Sequence, residues 1–556
     1  MRVGNTLAPL ALASGTLAAA VSKRNNGNAC NALWRKAPEM LASLEVYQAQ
    51  VYPAGTNFTD PEYQSVAYPA AVPDLPEFCR FGAWIHTSNM SKVQFEVWMP
   101  TDWSGRFAVV GNGGDAGGVN FPDMWGPIKN YKMAVASTDT GHHGTSGDGT
   151  FAAGNPESQI DFGYRAVHLT TVYSKKIVEA FYGEQQKSSY WIGCSSGGKQ
   201  GLKEAQAFPD DFDGIIAGAA AQYWQRLNAQ TYRINAIVNP PTSSGFLNTS
   251  DYALIGQLVL NQCDEQDGVK DSIIRDPYIC KPDLTTILCS QPNANASACI
   301  TEEQAQTMRT IWADYHFQNG TFLFPGFMPG AEGSSAFSVT GSPYGPGPDY
   351  YNYRTLALTV SLQVLNNTNT SIPFNVTDPA EFEKLVQIAL DTDPGQTNAA
   401  DPNIEEFLKR GKLLTYVGLA DTLIPTGSTL LYWHQVQAAL GYKDLSDSYR
   451  MFDMPGMGHC RGGPAADNFG GPGQRPDVLG GQSRSSSFDA EHDMILAMIR
   501  WVEEGVAPDV LIGSKWVGGD IKNGTAFQRK YCPYPQQGVY VGGDVNSADS
   551  FACRNV

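Results

Sequence analysis

The sequence predicts an α/β fold in which one long segment interrupts a mostly parallel sheet. Strand-like and helix-like segments alternate up to residue 235, and the same alternation resumes at Lys412. Residues 236–400 break this pattern, because they are rich in Pro, Gly, Asn, Thr and aromatic residues and are unsuited to a sheet interior. We therefore expect one α/β domain formed by residues 21–235 and 401–556, with residues 236–400 inserted into it.

Hydrophobic periodicity defines the individual elements of this α/β domain. Short apolar runs predict strands, and runs with apolar residues at helical spacing predict the helices between them. The predicted strands are 105–110, 133–137, 189–192, 212–217, 412–417 and 449–453. The predicted helices are 167–182, 199–208, 428–440 and 490–504.

Composition and charge exclude several classes of partner. The 556 residues include 38 Lys or Arg and 55 Asp or Glu, which gives a formal net charge of −17. This balance leaves no broad basic surface for phosphates, so neither nucleic acid nor an anionic membrane is an expected partner. A hydrophobic content of 42% can build a core. No segment after the N-terminus has the roughly 18 uninterrupted apolar residues of a membrane helix.

Three features predict a secreted protein. Residues 1–20 resemble a secretory signal, with Arg2 near the start, an apolar run and small residues at Ala18–Ala20; the alternative is a merely apolar N-terminus. The ten cysteines are even in number and lack the C-x-x-C spacing of zinc sites, so disulfides are expected. Sequons for N-glycosylation occur at Asn57, Asn89, Asn248, Asn295, Asn319, Asn366, Asn369, Asn375 and Asn523.

A nucleophile motif lies between a predicted strand and a predicted helix. Residues Gly193–Gly197 match G-x-S-x-G, in which the glycines allow a sharp turn that exposes the hydroxyl of Ser195. The N–H of Ser196 is then a candidate oxyanion donor. The alternative is a glycine-rich turn in which Ser195 only caps the helix, but the strand before and the helix after favour the nucleophile.

A serine nucleophile needs a base and an orienting carboxylate, which follow this motif in the order Asp and then His. Asp421 and His459 each come just after a predicted strand. In isolation, Asp421 could be a solvated turn residue and His459 a buried structural histidine. However, Cys194 precedes the serine and Cys460 follows the histidine, so folding that joins base and nucleophile also brings these cysteines within disulfide range.

This arrangement resembles the fungal tannase and feruloyl esterase family of secreted α/β-hydrolases. The resemblance covers nearly all of the mature chain, with matching motifs at 111–114, 161–168, 193–201, 212–218, 411–414, 456–460 and 501–505. Residues 194–201 look more like feruloyl esterases of the B type than like tannases, which tend to have an acidic residue at the position of Ser196. The resemblance implies an α/β-hydrolase fold with a large inserted lid domain.

The resemblance also implies the parts of a serine esterase. The triad would be Ser195, Asp421 and His459. The oxyanion donors would be the N–H of Ser196 with that of Gly113 or Gly114. In the family a disulfide joins the two triad loops, and the expected pairs here are Cys30–Cys79, Cys194–Cys460, Cys263–Cys280, Cys289–Cys299 and Cys532–Cys553.

An acidic loop follows Cys263 in the inserted segment. Its carboxylates surround a turn glycine, and hard oxygens at this density suit Ca²⁺, although the spacing is not that of an EF-hand. From the spacing alone, a solvated acidic turn is the better interpretation. The resemblance reverses this, because family members bind calcium in the insertion. The matching ligands are Asp264, Asp267, Val269, Asp271 and Ile273. No organic cofactor is expected.

The resemblance implies a secreted serine carboxylesterase that releases hydroxycinnamic acids such as ferulic acid from plant cell-wall polysaccharide. A tannase acting on galloyl esters is the close alternative, and it would need polar lid groups for three ring hydroxyls. A non-catalytic glycoprotein on a hydrolase scaffold predicts a missing triad member, and none is missing. The lid aromatics either stack on a phenolic ring or form the lid's own core; they include Phe324, Phe327, Tyr344, Tyr350, Tyr351 and Tyr353.

Overall fold

A mixed sheet of nine strands lies at the centre of the computed structural model. The structure describes residues 14–63, 67–146, 148–240, 242–295, 297–332, 363–365, 377–474 and 485–555, with side chains from residue 27 onwards. The strands are β1 (Leu44–Tyr52), β2 (Thr56–Thr59), β3 (Ala71–Leu75), β4 (Phe78–His86), β5 (Lys92–Pro100), β6 (Arg106–Val110), β7 (Ala134–Thr138), β8 (Ser188–Cys194), β9 (Gly214–Gly218), β10 (Tyr315–His316), β11 (Phe322–Phe324), β12 (Lys412–Gly418), β13 (Tyr449–Met454), β14 (Leu511–Trp516), β15 (Thr525–Tyr531), β16 (Gln536–Tyr540) and β17 (Phe551–Asn555).

The structure has twelve α-helices whose bounds lie within the described residues. They are α1 (Ser14–Met40), α2 (Phe121–Asn130), α3 (Pro156–Ile160), α4 (Ala166–Tyr182), α5 (Ser196–Ala207), α6 (Trp224–Arg233), α7 (Thr249–Cys263), α8 (Glu302–Trp312), α9 (Pro379–Thr392), α10 (Glu405–Leu408), α11 (Thr426–Ala439) and α12 (Met494–Glu504). Four of them, α4, α5, α11 and α12, match the predicted helices with small shifts at their ends. The helix predicted from residue 490 begins only at Met494, because the Asp493 carboxylate accepts the N–H groups of Ile495 and Leu496 and so caps the first turn.

The order of the central sheet is β1-β4-β5-β7-β6-β8-β9-β12-β13. The six strands from β7 to β13 in this order are parallel, which confirms the predicted mostly parallel sheet. The N-terminal strands β1, β4 and β5 extend one edge in antiparallel fashion. These three strands are not predicted from the sequence.

Helices cover both faces of the parallel part of the sheet, and two apolar cores lie beneath them. Along β6 and β8, Phe107, Val109 and Trp191 pack into one core. The alternate residues Val110 and Ile192 pack into the other. A strand that is buried on both faces has an almost continuous apolar sequence, so these strands can be predicted from their apolar runs.

The inserted segment leaves the sheet after β9 and returns at β12, and these two strands are direct neighbours. The described residues between them add no strand to the central sheet. A third apolar core, which includes Phe327, draws its members from residues 234–331. Phe324, by contrast, packs into a core of the central sheet. The boundaries at 236 and 400 stay predictions, and Tyr344, Tyr350, Tyr351 and Tyr353 lie outside the described residues.

The predicted signal segment falls partly outside the described residues, which begin at Ser14. Helix α1 continues through Ala20 to Met40, so the cleavage site stays a prediction. Within the described part of the chain, no helix combines the length and the apolar character needed to cross a bilayer.

The disulfide pairs are the expected ones, and the described sequons lie at the surface. The structure contains all five expected pairs, at Cys30–Cys79, Cys194–Cys460, Cys263–Cys280, Cys289–Cys299 and Cys532–Cys553. The described sequon asparagines are all exposed, namely Asn57, Asn89, Asn248, Asn295, Asn319 and Asn523. The sequons at Asn366, Asn369 and Asn375 lie outside the described residues.

The carboxylate of Glu503 on α12 hydrogen-bonds residues of two neighbouring strands, β6 and β8. Its carboxylate accepts two hydrogen bonds of 2.7 Å from Arg106 at the start of β6. It also accepts bonds of 2.8 Å from the hydroxyls of Ser188 and Tyr190 on β8. Partial burial raises the pKa of Glu503, but these hydrogen bonds outweigh the burial and hold the pKa at about 2.

Replacing Glu503 by Gln should therefore destabilise the protein in a pH-dependent way. The folded-state pKa of about 2 lies below the ordinary value of 4.5, so the carboxylate stabilises the fold above pH 4.5 and loses this effect as the pH falls through 2. Because Glu503 is partly exposed, we expect a loss of about 1–2 kcal/mol at pH 7. Urea unfolding at pH 7 and pH 3 measures the loss, which should be smaller at pH 3.

The neighbouring Glu504 provides the control, because its contact with Arg500 is long, at 3.6 Å, and exposed. Glu504→Gln should change the free energy of unfolding by less than about 0.5 kcal/mol. An equal loss for both variants, or a Glu503→Gln loss that does not depend on pH, contradicts the assignment.

Candidate active site

Ser195 lies in the sharp turn between β8 and α5. Its backbone has φ 64° and ψ −124°, a left-handed region that residues other than glycine rarely adopt. The flanking glycines make the turn possible, because a Cβ on Gly193 would lie 2.4 Å from the carbonyl oxygen of Gly197. The Ser195 N–H donates to the carbonyl of Gly218 at the end of β9, 2.9 Å away. The half-buried serine is thus held at the carboxyl edge of the parallel strands.

Asp421 and His459 meet at the same edge. His459 Nδ1 lies 2.8 Å from Asp421 Oδ2, and both side chains are buried. The other oxygen of Asp421 accepts the N–H groups of Leu423 and Ile424 at 2.8 and 2.9 Å. These bonds fix the carboxylate, and the carboxylate in turn orients the imidazole with Nε2 directed away from it.

The loops that carry these two residues pack closely against each other because they follow neighbouring parallel strands, β12 and β13. The Ala420 N–H donates to the Met457 carbonyl at 2.9 Å. A Cβ on Gly418 would lie 2.2 Å from that same carbonyl oxygen, so the close approach requires glycine at this position. The aspartate and histidine loops therefore share one backbone contact.

A disulfide joins the serine turn to the histidine loop. Cys194 and Cys460 are 266 positions apart in the sequence, and their Cα atoms are 6.1 Å apart. In the sheet, β9 and β12 lie between β8 and β13, so the bond spans two intervening strands. Ser195 and His459 are each one residue from a bridged cysteine, as the sequence predicts.

The candidate oxyanion donors lie in two places. Ser196 is the first residue of α5, where a backbone N–H has no acceptor within the helix. The Gly113 N–H donates to the hydroxyl of Tyr68 at 2.6 Å. Gly114 has a positive φ of 54°. Tyr68 is not found from the sequence, because nothing in its own segment connects it with residues 45 positions away.

Lys199 and Asp115, the residue after the glycine loop, are two buried ionisable groups that influence each other electrostatically, and they are likewise not predicted from the sequence. Lys199 on α5 is fully buried, with Nζ 4.2 and 4.3 Å from the ring centres of Phe162 and Trp224. Burial lowers the pKa of Lys199 to about 7, and the charge of Asp115 opposes this shift. Burial raises the pKa of Asp115 to about 6, and the charge of Lys199 opposes that shift. The pair connects the nucleophile helix to the glycine loop electrostatically.

The acidic loop of the insertion is held together by its own carboxylates. Asp264 accepts the N–H groups of Asp271 and Ser272 at 3.2 and 3.1 Å. Asp267 accepts the Val269 N–H at 3.0 Å. The loop begins directly after Cys263, which forms a disulfide with Cys280.

Arginines neutralise part of this negative charge. Arg529 lies 2.5 Å from Asp271 Oδ2, and Arg275 lies 3.8 Å from Asp267 Oδ2. Burial raises the pKa of Asp267, and the nearby charge of Asp271 raises it further. Mutually repelling carboxylates beside backbone carbonyls have the donor chemistry of a calcium site.

Comparison with known proteins places the chain in one family. A family model described as tannase and feruloyl esterase matches residues 79–554. A probable feruloyl esterase B-2 from Aspergillus terreus is 34% identical over 519 residues, covering 92% of this chain and 93% of that protein. A probable feruloyl esterase B from Emericella nidulans is 34% identical over 518 residues, covering 92% of each chain.

Solved structures agree with this placement. Feruloyl esterase B from Aspergillus oryzae has a TM-score of 0.83 at 30% identity, covering 95% of this chain and 100% of that one. A tannin acyl hydrolase from Aspergillus niger shares the fold, with a TM-score of 0.68 at 22% identity and coverage of 93% and 92%. The chain therefore belongs to the tannase and feruloyl esterase family and is a carboxylic ester hydrolase with an α/β-hydrolase fold.

Proposed function

We propose that the protein is a secreted serine esterase that hydrolyses feruloyl and related hydroxycinnamoyl esters of plant cell-wall polysaccharide. Relatives that are named feruloyl esterase B match more than nine-tenths of the chain. The observation that carries the proposal is the 2.8 Å contact of His459 with Asp421, in a loop cross-linked to the turn of Ser195. Five disulfides and exposed sequons are consistent with an extracellular protein.

In the proposed reaction, the hydroxyl of Ser195 attacks the ester carbonyl. His459 Nε2 takes the hydroxyl proton as the new C–O bond forms, and Asp421 stabilises the imidazolium through Nδ1–H. Collapse of the tetrahedral intermediate breaks the ester C–O bond, and His459 gives the proton to the departing sugar oxygen, which leaves as a hydroxyl group. A water molecule, activated by the same imidazole, then hydrolyses the acyl-enzyme and releases the phenolic acid.

The tetrahedral oxyanion would be stabilised by backbone donors at the serine turn. The Ser196 N–H has no acceptor in its helix and lies at the positive end of the α5 dipole. Gly113 or Gly114 would provide the second donor, and the Gly113 N–H would have to leave the hydroxyl of Tyr68 to do so. Donors aimed at developing charge typically contribute about 3–4 kcal/mol each to transition-state stabilisation.

The acyl preference is tested by assaying the purified protein on methyl ferulate, methyl caffeate and methyl gallate side by side. We expect hydrolysis of the ferulate ester with a higher kcat/KM than that of the gallate ester, by at least about tenfold, because the similar relatives are named probable feruloyl esterases. Cleavage of the gallate ester alone would replace the proposal with a tannase.

Substitutions in the triad test the mechanism. Ser195→Ala should lower kcat by about 10⁶-fold, and Asp421→Asn by about 10⁴-fold, because the second variant keeps the nucleophile and loses the orienting charge. The unfolding temperatures should stay close to that of the parent protein. Ser104→Ala, at a half-buried serine whose hydroxyl donates to the Lys132 carbonyl at 3.0 Å, is the control and should retain full activity. Retained activity in Ser195→Ala would remove the mechanism.

We further propose that the acidic loop binds one Ca²⁺ as a structural ion. The side chains of Asp264, Asp267 and Asp271 and the carbonyls of Val269 and Ile273 would hold it. The charge repulsion between Asp267 and Asp271 supports this proposal, because a divalent cation would relieve it. In the described structure these carboxylates bond arginines and backbone N–H groups instead, so ion binding would draw them together.

Removing calcium should therefore lower stability. Treatment with EGTA should reduce the unfolding temperature by several degrees, because an ion at about 100 times its Kd contributes about 2.7 kcal/mol to folding. Asp267→Asn should abolish the response to added Ca²⁺. Glu265→Gln is the matched control in the same loop, since Glu265 faces solvent and pairs with Lys270 at 2.7 Å. An unfolding temperature that changes with neither EGTA nor added Ca²⁺ would refute the site.

A further inference from the structure

A second cluster of metal-ligating side chains lies outside the active site and outside the acidic loop. Among the described His, Cys, Asp and Glu residues, one group of three has all its potential ligand atoms within 4.8 Å of one another: His168, Glu204 and Asp211. The three come from α4, from α5 and from the segment between α5 and β9. Residues from three separate segments therefore converge on one point.

Within this cluster, the environment of Glu204 is the clearest indication of a bound ligand. It is 1% exposed, and neither carboxylate oxygen receives a hydrogen bond from a donor of the described residues. Its polar neighbour is the carboxyl group of Asp211. Burial raises the pKa of Glu204 well above its ordinary value, and the charge of Asp211 and hydrogen bonding to that carboxyl group raise it further. Two carboxyl groups that meet in a buried site cannot both be ionised without a compensating positive charge, which a shared proton or a metal ion can supply.

Apart from one hydrogen bond within the cluster itself, the surrounding contacts leave the two carboxylates available to such an ion. The ring of His168 stacks on Phe208, with centres 3.7 Å apart, and its Nδ1 lies 2.7 Å from Asp211 Oδ2. Lys175 and the hydroxyl of Ser189 donate to the backbone carbonyl of Asp211 and not to its carboxylate. The imidazole is therefore held in a fixed orientation beside the carboxyl pair.

We propose that His168, Glu204 and Asp211 bind one divalent transition metal ion, with Zn²⁺ as the probe. One imidazole nitrogen and two carboxylate oxygens form a donor set that suits such ions better than Ca²⁺, which prefers oxygen alone. The side chains of His168 and Asp211 are 27% and 11% exposed, so water can supply a fourth ligand and the ion has a path of entry.

The site would stabilise the helix that carries the nucleophile. Glu204 lies in the last turn of α5, and the same helix begins directly after Ser195. An ion at this position joins α5 to α4 and to the segment before β9. Metal–oxygen bonds form with ionised carboxylates, so a proton that the carboxyl pair shares in the metal-free protein would be released to the buffer on binding.

The test is calorimetric titration of Zn²⁺ into the full chain, stripped of metal by a chelator and then saturated with Ca²⁺ so that the acidic loop is excluded. We expect one Zn²⁺ per chain, with the release of up to one proton that is measurable in buffers of different ionisation enthalpy. The unfolding temperature should rise with Zn²⁺ concentration. No ester substrate is used, so the outcome is independent of the proposed function.

Glu204→Gln and His168→Gln should each weaken Zn²⁺ binding by at least tenfold. The first of these variants mimics the protonated carboxyl and is expected to fold, and its unfolding temperature checks this. His86→Gln, at an exposed histidine paired with Glu45, is the control and should leave binding unchanged. No binding to the parent chain, or binding that persists in both variants, overturns the proposal and assigns the carboxyl pair to a shared proton.

Discussion

One covalent bond, the Cys194–Cys460 disulfide, holds together the two loops on which the proposed chemistry depends. The nucleophile turn and the histidine loop follow strands that are separated by two other strands, and they are 266 positions apart in the chain. A proton can pass from Ser195 to His459 only over hydrogen-bond distance. The bridge attaches directly to the neighbour of each residue, so it limits their relative motion more than loop packing alone would.

The backbone on both sides of this bridge is strained, and the fold stabilises the strain locally. Ser195 and Cys460 both have positive φ values, 64° and 61°. The serine turn is supported by glycines that allow close backbone contact, and the histidine loop by the carboxylate of Asp421. Strain of about 1–3 kcal/mol per residue persists only where the surrounding structure compensates for it, and here a sheet buried on both faces provides that support.

The parallel half of the fold and the triad positions can be predicted from the sequence because each depends on a local pattern. Strands buried on both faces have apolar runs, and the order of Ser, Asp and His after such strands is specific. The antiparallel edge strands are harder to predict from the sequence, because the apolar pattern of β4 and β5 is interrupted by a buried ion pair. This pair is Arg80 and Glu96, 2.6 Å apart. The hydrogen bond of Tyr68 and the electrostatic interaction of Lys199 with Asp115 each link segments that are distant in the sequence, and no local pattern records such links.

The dependence of catalysis on the Cys194–Cys460 disulfide is tested most directly by the kinetics of a double variant that lacks this bond. Cys194→Ser with Cys460→Ser should lower the free energy of unfolding by about 2–5 kcal/mol and should also lower kcat, because the serine and histidine loops lose their covalent link. Cys532→Ser with Cys553→Ser, which removes a bridge near the C-terminus, should cost stability while leaving kcat unchanged. A parent-like kcat in the Cys194/Cys460 variant, at a temperature where it is folded, would contradict the account.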